Sequence, residues 1–170
     1  MKTRISYLNS LRTLALAILA VGMTVSGLSA HAYDYDRDSD RSDYDNRRGP
    51  RRGDLRDPRE AARLVDLLYV GALNRYADQE GIDGFGREIM NRGYQGLYDS
   101  ARLIGSVPEF AERVQDVGSR RVVFNIYRVF FNRRPDPSGL SNWTRMIDEG
   151  RGGDALEGIV KSQEFFETQL

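Results

Sequence analysis

From Ala61 onward, apolar residues recur at intervals of three and four. Ala61, Leu64, Val65, Leu68 and Ala72 share one face of a helix. Val122, Ile126 and Phe130 repeat every four positions, with Val123 and Tyr127 beside them, and predict a second helix. Leu140, Trp143 and Ile147 make a third stripe, and Leu156, Ile159, Val160 and Phe166 a fourth. No useful run alternates with the period of two that marks a strand, so the folded part is expected to be all-α. "DPRE" at 57–60 reads as a helix start, with Asp57 as N-cap, Pro58 in the first helical position and Glu60 closing a capping box.

The pattern also repeats as a whole. A shift of 58 positions lays Tyr69 on Tyr127, Asn74 and Arg75 on Asn132 and Arg133, Asp78 on Asp136, Gly81 on Gly139, Phe85 on Trp143 and Ile89 on Ile147. After a three-residue slip, Glu109 and Phe110 meet Glu164 and Phe165. Self-similarity at such a period marks repeated helical units that bury their apolar faces against each other. The expected fold is therefore all-α, with two tandem units of three to four helices sharing a core, 58–118 and 119–170. Each unit reads helix, tight D-x-x-G turn, helix, third helix and a serine-led ending, "SVPEF" or "SQEF". Ser106 and Glu109 read as a capping box of the last helix.

In "NRRPDPSGLSNW", 132–143, Asp136 is placed as N-cap and Pro137 at the first helical position. Pro135 is read as ending the preceding helix. Gly139 is read as a point of close backbone approach. Leu140 and Trp143 fall on one face, which reads as a core anchor at the corner, and Phe85 holds the matching place in the first unit.

Before Asp57 the pattern is different. Lys2, Arg4 and Arg12 precede the apolar run "LALAILAVGMTV" at 14–25 and the small-x-small "AHA" at 30–32. This order is that of a secretory signal peptide over 1–32. Twelve apolar residues fall short of the roughly 20 needed to span a bilayer, so no stable membrane span is expected after cleavage. The expected location is periplasmic or extracellular. Residues 33–57 carry eight aspartates and seven arginines with Leu55 as the only aliphatic residue. That composition reads as a disordered tether. Its aspartates lack the glycine and glutamate of a calcium loop.

Composition then limits the chemistry. The 170 residues include 25 basic and 25 acidic side chains, one histidine and no cysteine. Cleavage after Ala32 removes three basic residues and no acidic one, leaving 22 against 25. No nucleic-acid partner is expected from that balance. His31 leaves with the leader, so histidine- or cysteine-based catalysis and ordinary zinc sites are excluded from what remains. No cofactor, metal or catalytic residue is assigned. Only a carboxylate-based glycoside hydrolase stays open as an enzyme, and Glu109, Glu164, Asp78 and Asp136 all have capping explanations. The candidate partner-binding residues sit at the turns: Arg75 and Tyr76 in one unit, Arg133, Arg134, Asp136 and Trp143 in the other. Gly139, Pro137, Leu140, Phe85 and Phe165 are read as structural.

The stretch 121–166, with D-P-x-G-L-x-x-W and its "SQEF" ending, resembles the domain of unknown function 4214. Residues 64–110 resemble a degenerate copy, with Ala77 and Gln79 in place of the prolines and Phe85 in place of the tryptophan. The resemblance implies a helical domain related to phycobilisome linkers, in a bacterial exported or surface context, with no settled activity. The expected function is a non-catalytic interaction or assembly module of the cell envelope. Its partner would be an envelope protein or polysaccharide, with self-association left open. The alternative is a glycan-binding or glycan-acting protein using the corner carboxylates.

Overall fold

The computed structural model describes residues 52–170. The leader and the tether as far as residue 51 lie outside the described residues. Those described form eight α-helices and no strand. They are α1 (Pro58–Leu73), α2 (Gln79–Arg92), α3 (Tyr94–Ile104), α4 (Pro108–Val117), α5 (Ser119–Phe131), α6 (Pro137–Asp148), α7 (Gly152–Val160) and α8 (Gln163–Gln169).

The first four helices and the last four are two renderings of one unit. In each, the first helix packs on the second and the second on the third. The units meet through α1 on α5 and α3 on α7, with α4 also laid against α5. The residues of the first two stripes are all buried, as are Leu140, Ile147, Leu156, Ile159 and Val160. Phe165 fills the core at 0% exposure, and its ring meets Phe130 edge-on at 5.4 Å. Such edge contacts contribute about 0.5–1.5 kcal/mol beyond the area they bury. Phe166 is only half-buried and turns outward to Tyr94 and Tyr98.

Two close approaches explain where side chains are missing from the core. A Cβ on Gly71 of α1 would stand 2.5 Å from the Phe130 ring of α5. A Cβ on Gly152 would stand 2.6 Å from the Gly105 carbonyl oxygen, where the end of α3 meets the start of α7. Larger residues there would force the units apart.

Several local expectations are corrected. Residues 52–57, read from composition as tether, belong to the fold. Leu55 is buried, and the Gly53 amide donates to Glu60. Asp57 does cap α1, accepting from the Arg59 amide at 2.9 Å, but Glu60 does not reach back to it. Glu60 is 0% exposed and accepts from the Arg63 Nε and Nη2, both at 2.8 Å. Burial pushes the Glu60 carboxyl up, but the Arg63 guanidinium and the Gly53 amide outweigh it and hold it below its ordinary value.

Helix α5 ends before Pro135 acts. Asn132 takes a left-handed conformation, φ 50°, and its amide donates to the Arg128 carbonyl; Asn74 ends α1 in the same way at φ 59°. Asparagine tolerates this conformation better than other side-chain-bearing residues. At α4 the Ser106 hydroxyl donates backward to the Arg102 carbonyl at 2.7 Å, so Val107 stands at the N-cap and no capping box forms. Ser162, one residue nearer its helix, does cap α8.

Candidate functional site

The turn residues singled out in sequence gather at two matching corners. In the second, Asp136 caps α6 and accepts the Gly139 amide at 2.8 Å. Its carboxyl lies below the usual range because the Ser138 hydroxyl and the Gly139 amide both donate to it. Pro137 occupies the first turn of α6. Tyr127 of α5 is the hub. The Arg133 guanidinium lies over its ring at 5.1 Å, and the Trp143 Nε1 donates to its hydroxyl at 3.0 Å. A Cβ on Gly139 would stand 2.8 Å from that hydroxyl, so Gly139 makes room for a side chain rather than for backbone. Burial raises the Tyr127 pKa, against the hydrogen bond from Trp143.

The first corner repeats this. Asp78 caps α2 through the Gly81 amide at 2.7 Å. Arg75 lies over Tyr69 at 5.0 Å, Phe85 meets Tyr69 edge-on at 6.1 Å, and a Cβ on Gly81 would stand 2.8 Å from the Tyr69 hydroxyl. Burial, then the charge of Asp78, pushes Tyr69 up to about 12.

Both arginines are bound within the fold. Arg75 donates from Nε and Nη2 to Glu109 at 2.6 and 2.8 Å, and Arg133 donates likewise to Glu164 at 2.5 and 2.6 Å. The remaining guanidinium nitrogen of each donates to the next residue's carbonyl, Tyr76 and Arg134 respectively. Each arginine thus ties the end of the first helix of its unit to the start of the last. Trp143 is half-buried, whereas Phe85 is 2% exposed; the two places match in sequence and differ in depth. Trp143 is therefore no full core anchor. The far edge of its indole rests on Gly158 of α7, which has no side chain to cover it. Tyr76 is 65% exposed.

What remains open lies beside the second corner. Arg121, Phe124, Asn125, Arg128 and Asn132 form one stripe along α5, continued by Arg133 and Arg134. They line a groove of about 380 Å³. Residues 118–135 carry five arginines and no acidic residue, and α5 alone among the described helices lacks an acidic side chain. Arg121, Arg128 and Arg134 are exposed, with no ion pair among the described residues. Phe124 is half-exposed between them. The Asn125 amide nitrogen donates to the Val70 and Gly71 carbonyls at 3.0 and 2.8 Å. Asn125 also lines the groove.

The first unit closes the same place. There Arg63 stands for Arg121, and Glu60 and Gln169 occupy its guanidinium. Gly118 stands in the position of Glu60, so Arg121 has no such acid. Asp66 stands for Phe124 and accepts the Ala77 amide, holding the α1–α2 turn. The groove is thus peculiar to the second unit.

Residues 101–169 match the family model for Domain of unknown function (DUF4214). No curated protein and no solved structure matches the chain. The DUF4214 match opens within α3 and takes in α4, so it begins earlier than the second unit read from the repeat. It encloses both Glu109 and Glu164, the second corner and the whole groove.

Among the described residues, no helix is long and apolar enough to cross a membrane, and no cluster of acidic or histidine side chains is placed to hold a metal ion. Within residues 101–169 the sequence marks Arg133, Arg134, Asp136 and Trp143 as candidate site residues and Tyr127 only as a core and repeat position; Arg121, Phe124 and Arg128 are not marked by it. The acid-free run from 118 to 135 was the available signal for the last three.

Proposed function

We propose that this chain is an exported, non-catalytic interaction module of the bacterial cell envelope that engages an acidic partner through the arginine groove of α5. The carrying observation is the cluster of guanidiniums at Arg121, Arg128 and Arg134, which meet no carboxylate among the described residues, around the half-exposed Phe124. Beside the groove Arg133 is taken up by Glu164, and Arg63, Arg75, Arg92, Arg102 and Arg151 also meet carboxylates; what sets the groove apart is that its three guanidiniums without one cluster around one aromatic on an acid-free helix. Guanidinium forks recognise carboxylates bidentately, and a neighbouring aromatic supplies apolar contact at modest entropic cost.

Export rests on the leader-like sequence at 1–32. On this reading 58–118 is a degenerate copy of the DUF4214 unit, and the likeness to phycobilisome linkers belongs to assembly rather than to light harvesting. The non-catalytic reading is supported by the corner carboxylates. Glu109 and Glu164 are each taken up by an arginine, and Asp78 and Asp136 cap their helices. A glycosidase pair would have to face a groove unencumbered.

Capture from envelope extracts, with the wild-type chain and the Arg121→Glu/Arg128→Glu variant as baits, tests the proposal. A partner retained by the wild type and lost by the variant, with unchanged thermal stability, is the expected result. Equal capture by both would refute the assignment of the groove.

A further inference from the structure

We infer that the partner element is an acidic amphipathic α-helix laid along α5, with carboxylates seven residues apart meeting Arg121 and Arg128. This rests on the reading of the α5 groove as a partner-binding surface.

The spacing carries the inference. Arg121 and Arg128 are seven positions apart on one helix, about 10 Å along its axis. Side chains seven apart on a second helix advance by the same distance and also return to the same face. An extended peptide presents same-face side chains every two residues, about 7 Å apart, then about 14 Å, so neither interval matches.

The rest of the stripe fits helix packing. Arg121, Phe124, Asn125, Arg128 and Asn132 follow the three-and-four spacing by which one helix packs on another. Phe124 is the apolar knob between the two cations, and it calls for small or aliphatic side chains at the middle of the partner's stripe. Asn125 lies between the two cations and beside Phe124, fixed by two bonds to α1 carbonyls. Arg134, beyond the end of α5, extends the cationic track for a further acidic residue.

The test measures binding of three probes to the purified whole chain by fluorescence anisotropy. The first is a side-chain-stapled 18-residue peptide with glutamates at i and i+7 and leucines at i+3 and i+4. The second is a stapled peptide of the same composition with the glutamates shuffled off that face. The third is an acidic polyuronate. The inference expects the patterned helix to bind at least tenfold tighter than the shuffled one. It also expects a loss of at least tenfold with Arg121→Glu/Arg128→Glu or Phe124→Ala, and recovery when the double variant meets a peptide with lysines replacing the two glutamates. If the shuffled peptide or the polyuronate binds as tightly as the patterned helix, and the double variant abolishes it, the helix is refuted and the arginine groove stands as a site for acidic partners. If no probe responds to the double variant, both readings fall.

Discussion

Arg133 and Glu164, 31 positions apart, close on each other through two parallel hydrogen bonds of 2.5 and 2.6 Å. Arg75 and Glu109 do the same across 34 positions, so the device is part of the repeated unit. Both pairs are partly exposed, and solvent screens such pairs to about 0.2–1 kcal/mol. The fork geometry and the tyrosine ring beneath each guanidinium favour the upper half of that range. A double-mutant cycle on Arg133→Ala and Glu164→Ala, read by denaturant unfolding, is expected to give a coupling of about 0.5–1 kcal/mol. Arg133→Lys is expected to lose most of it, because an ammonium cannot make both bonds. A coupling near zero in both units would remove the ties from the account of the fold.

The glycine at each corner makes a sharper case. Alanine in place of a helical glycine ordinarily stabilises by about 1 kcal/mol. At Gly81 the new Cβ would lie 2.8 Å from the Tyr69 hydroxyl, and the expected sign is reversed. Gly81→Ala should destabilise by about 1–3 kcal/mol. Adding Tyr69→Phe should recover much of that loss. Thermal unfolding of the two single variants and the double variant checks this; an additive double variant would mean that the hydroxyl is not what the glycine accommodates.

Phe85 and Trp143 occupy matching places but differ in burial. Phe85→Ala is expected to cost about 3–5 kcal/mol, as for buried aromatic truncations. Trp143→Ala should cost about half as much, since part of the indole is in water in the folded state too. Acrylamide quenching of the only tryptophan checks the same point without a variant. Intermediate quenching is expected, and emission as protected as that of a fully buried indole would contradict it.

Stability at low pH should depend on Glu60. Its folded pKa is below its ordinary value of 4.5, so the carboxylate stabilises the fold above 4.5, and that contribution is lost as pH falls through the folded value. Glu60→Gln removes the ionised partner of Arg63 and should cost about 2–3 kcal/mol near neutrality, less than a fully buried pair because Arg63 is partly exposed. The deficit should shrink as pH drops below 4.5. A deficit constant from pH 7 to pH 3 would show that the charge of Glu60 contributes nothing.

The apolar stripes were legible because helical spacing registers burial directly: Leu64, Leu68, Val122 and Ile126 are all in the core. The repeat was legible because Tyr, Asn-Arg and D-x-x-G keep their register over 58 positions. The roles of Arg75 and Arg133 were not, because their carboxylates come from helices more than thirty residues downstream. Arginine after a helix end reads equally well as a solvated cap. Glu60 looked like a capping residue because its spacing from Asp57 is right, and only the chain before α1 shows why it turns inward. The groove was hidden by its residue types. Arginines on an outer helix face look like ordinary solvated charge until each one is followed to its partner, and among the described residues three of those lining the groove meet no carboxylate.

The most direct test of the interaction account places a photo-crosslinking amino acid at position 124 in cells that express the chain, and a second at Arg87 on the exposed face of α2. The account predicts a discrete adduct from position 124, lost when Arg121→Glu and Arg128→Glu are added, and none from position 87. No adduct at 124, or the same adduct from both positions, would contradict it.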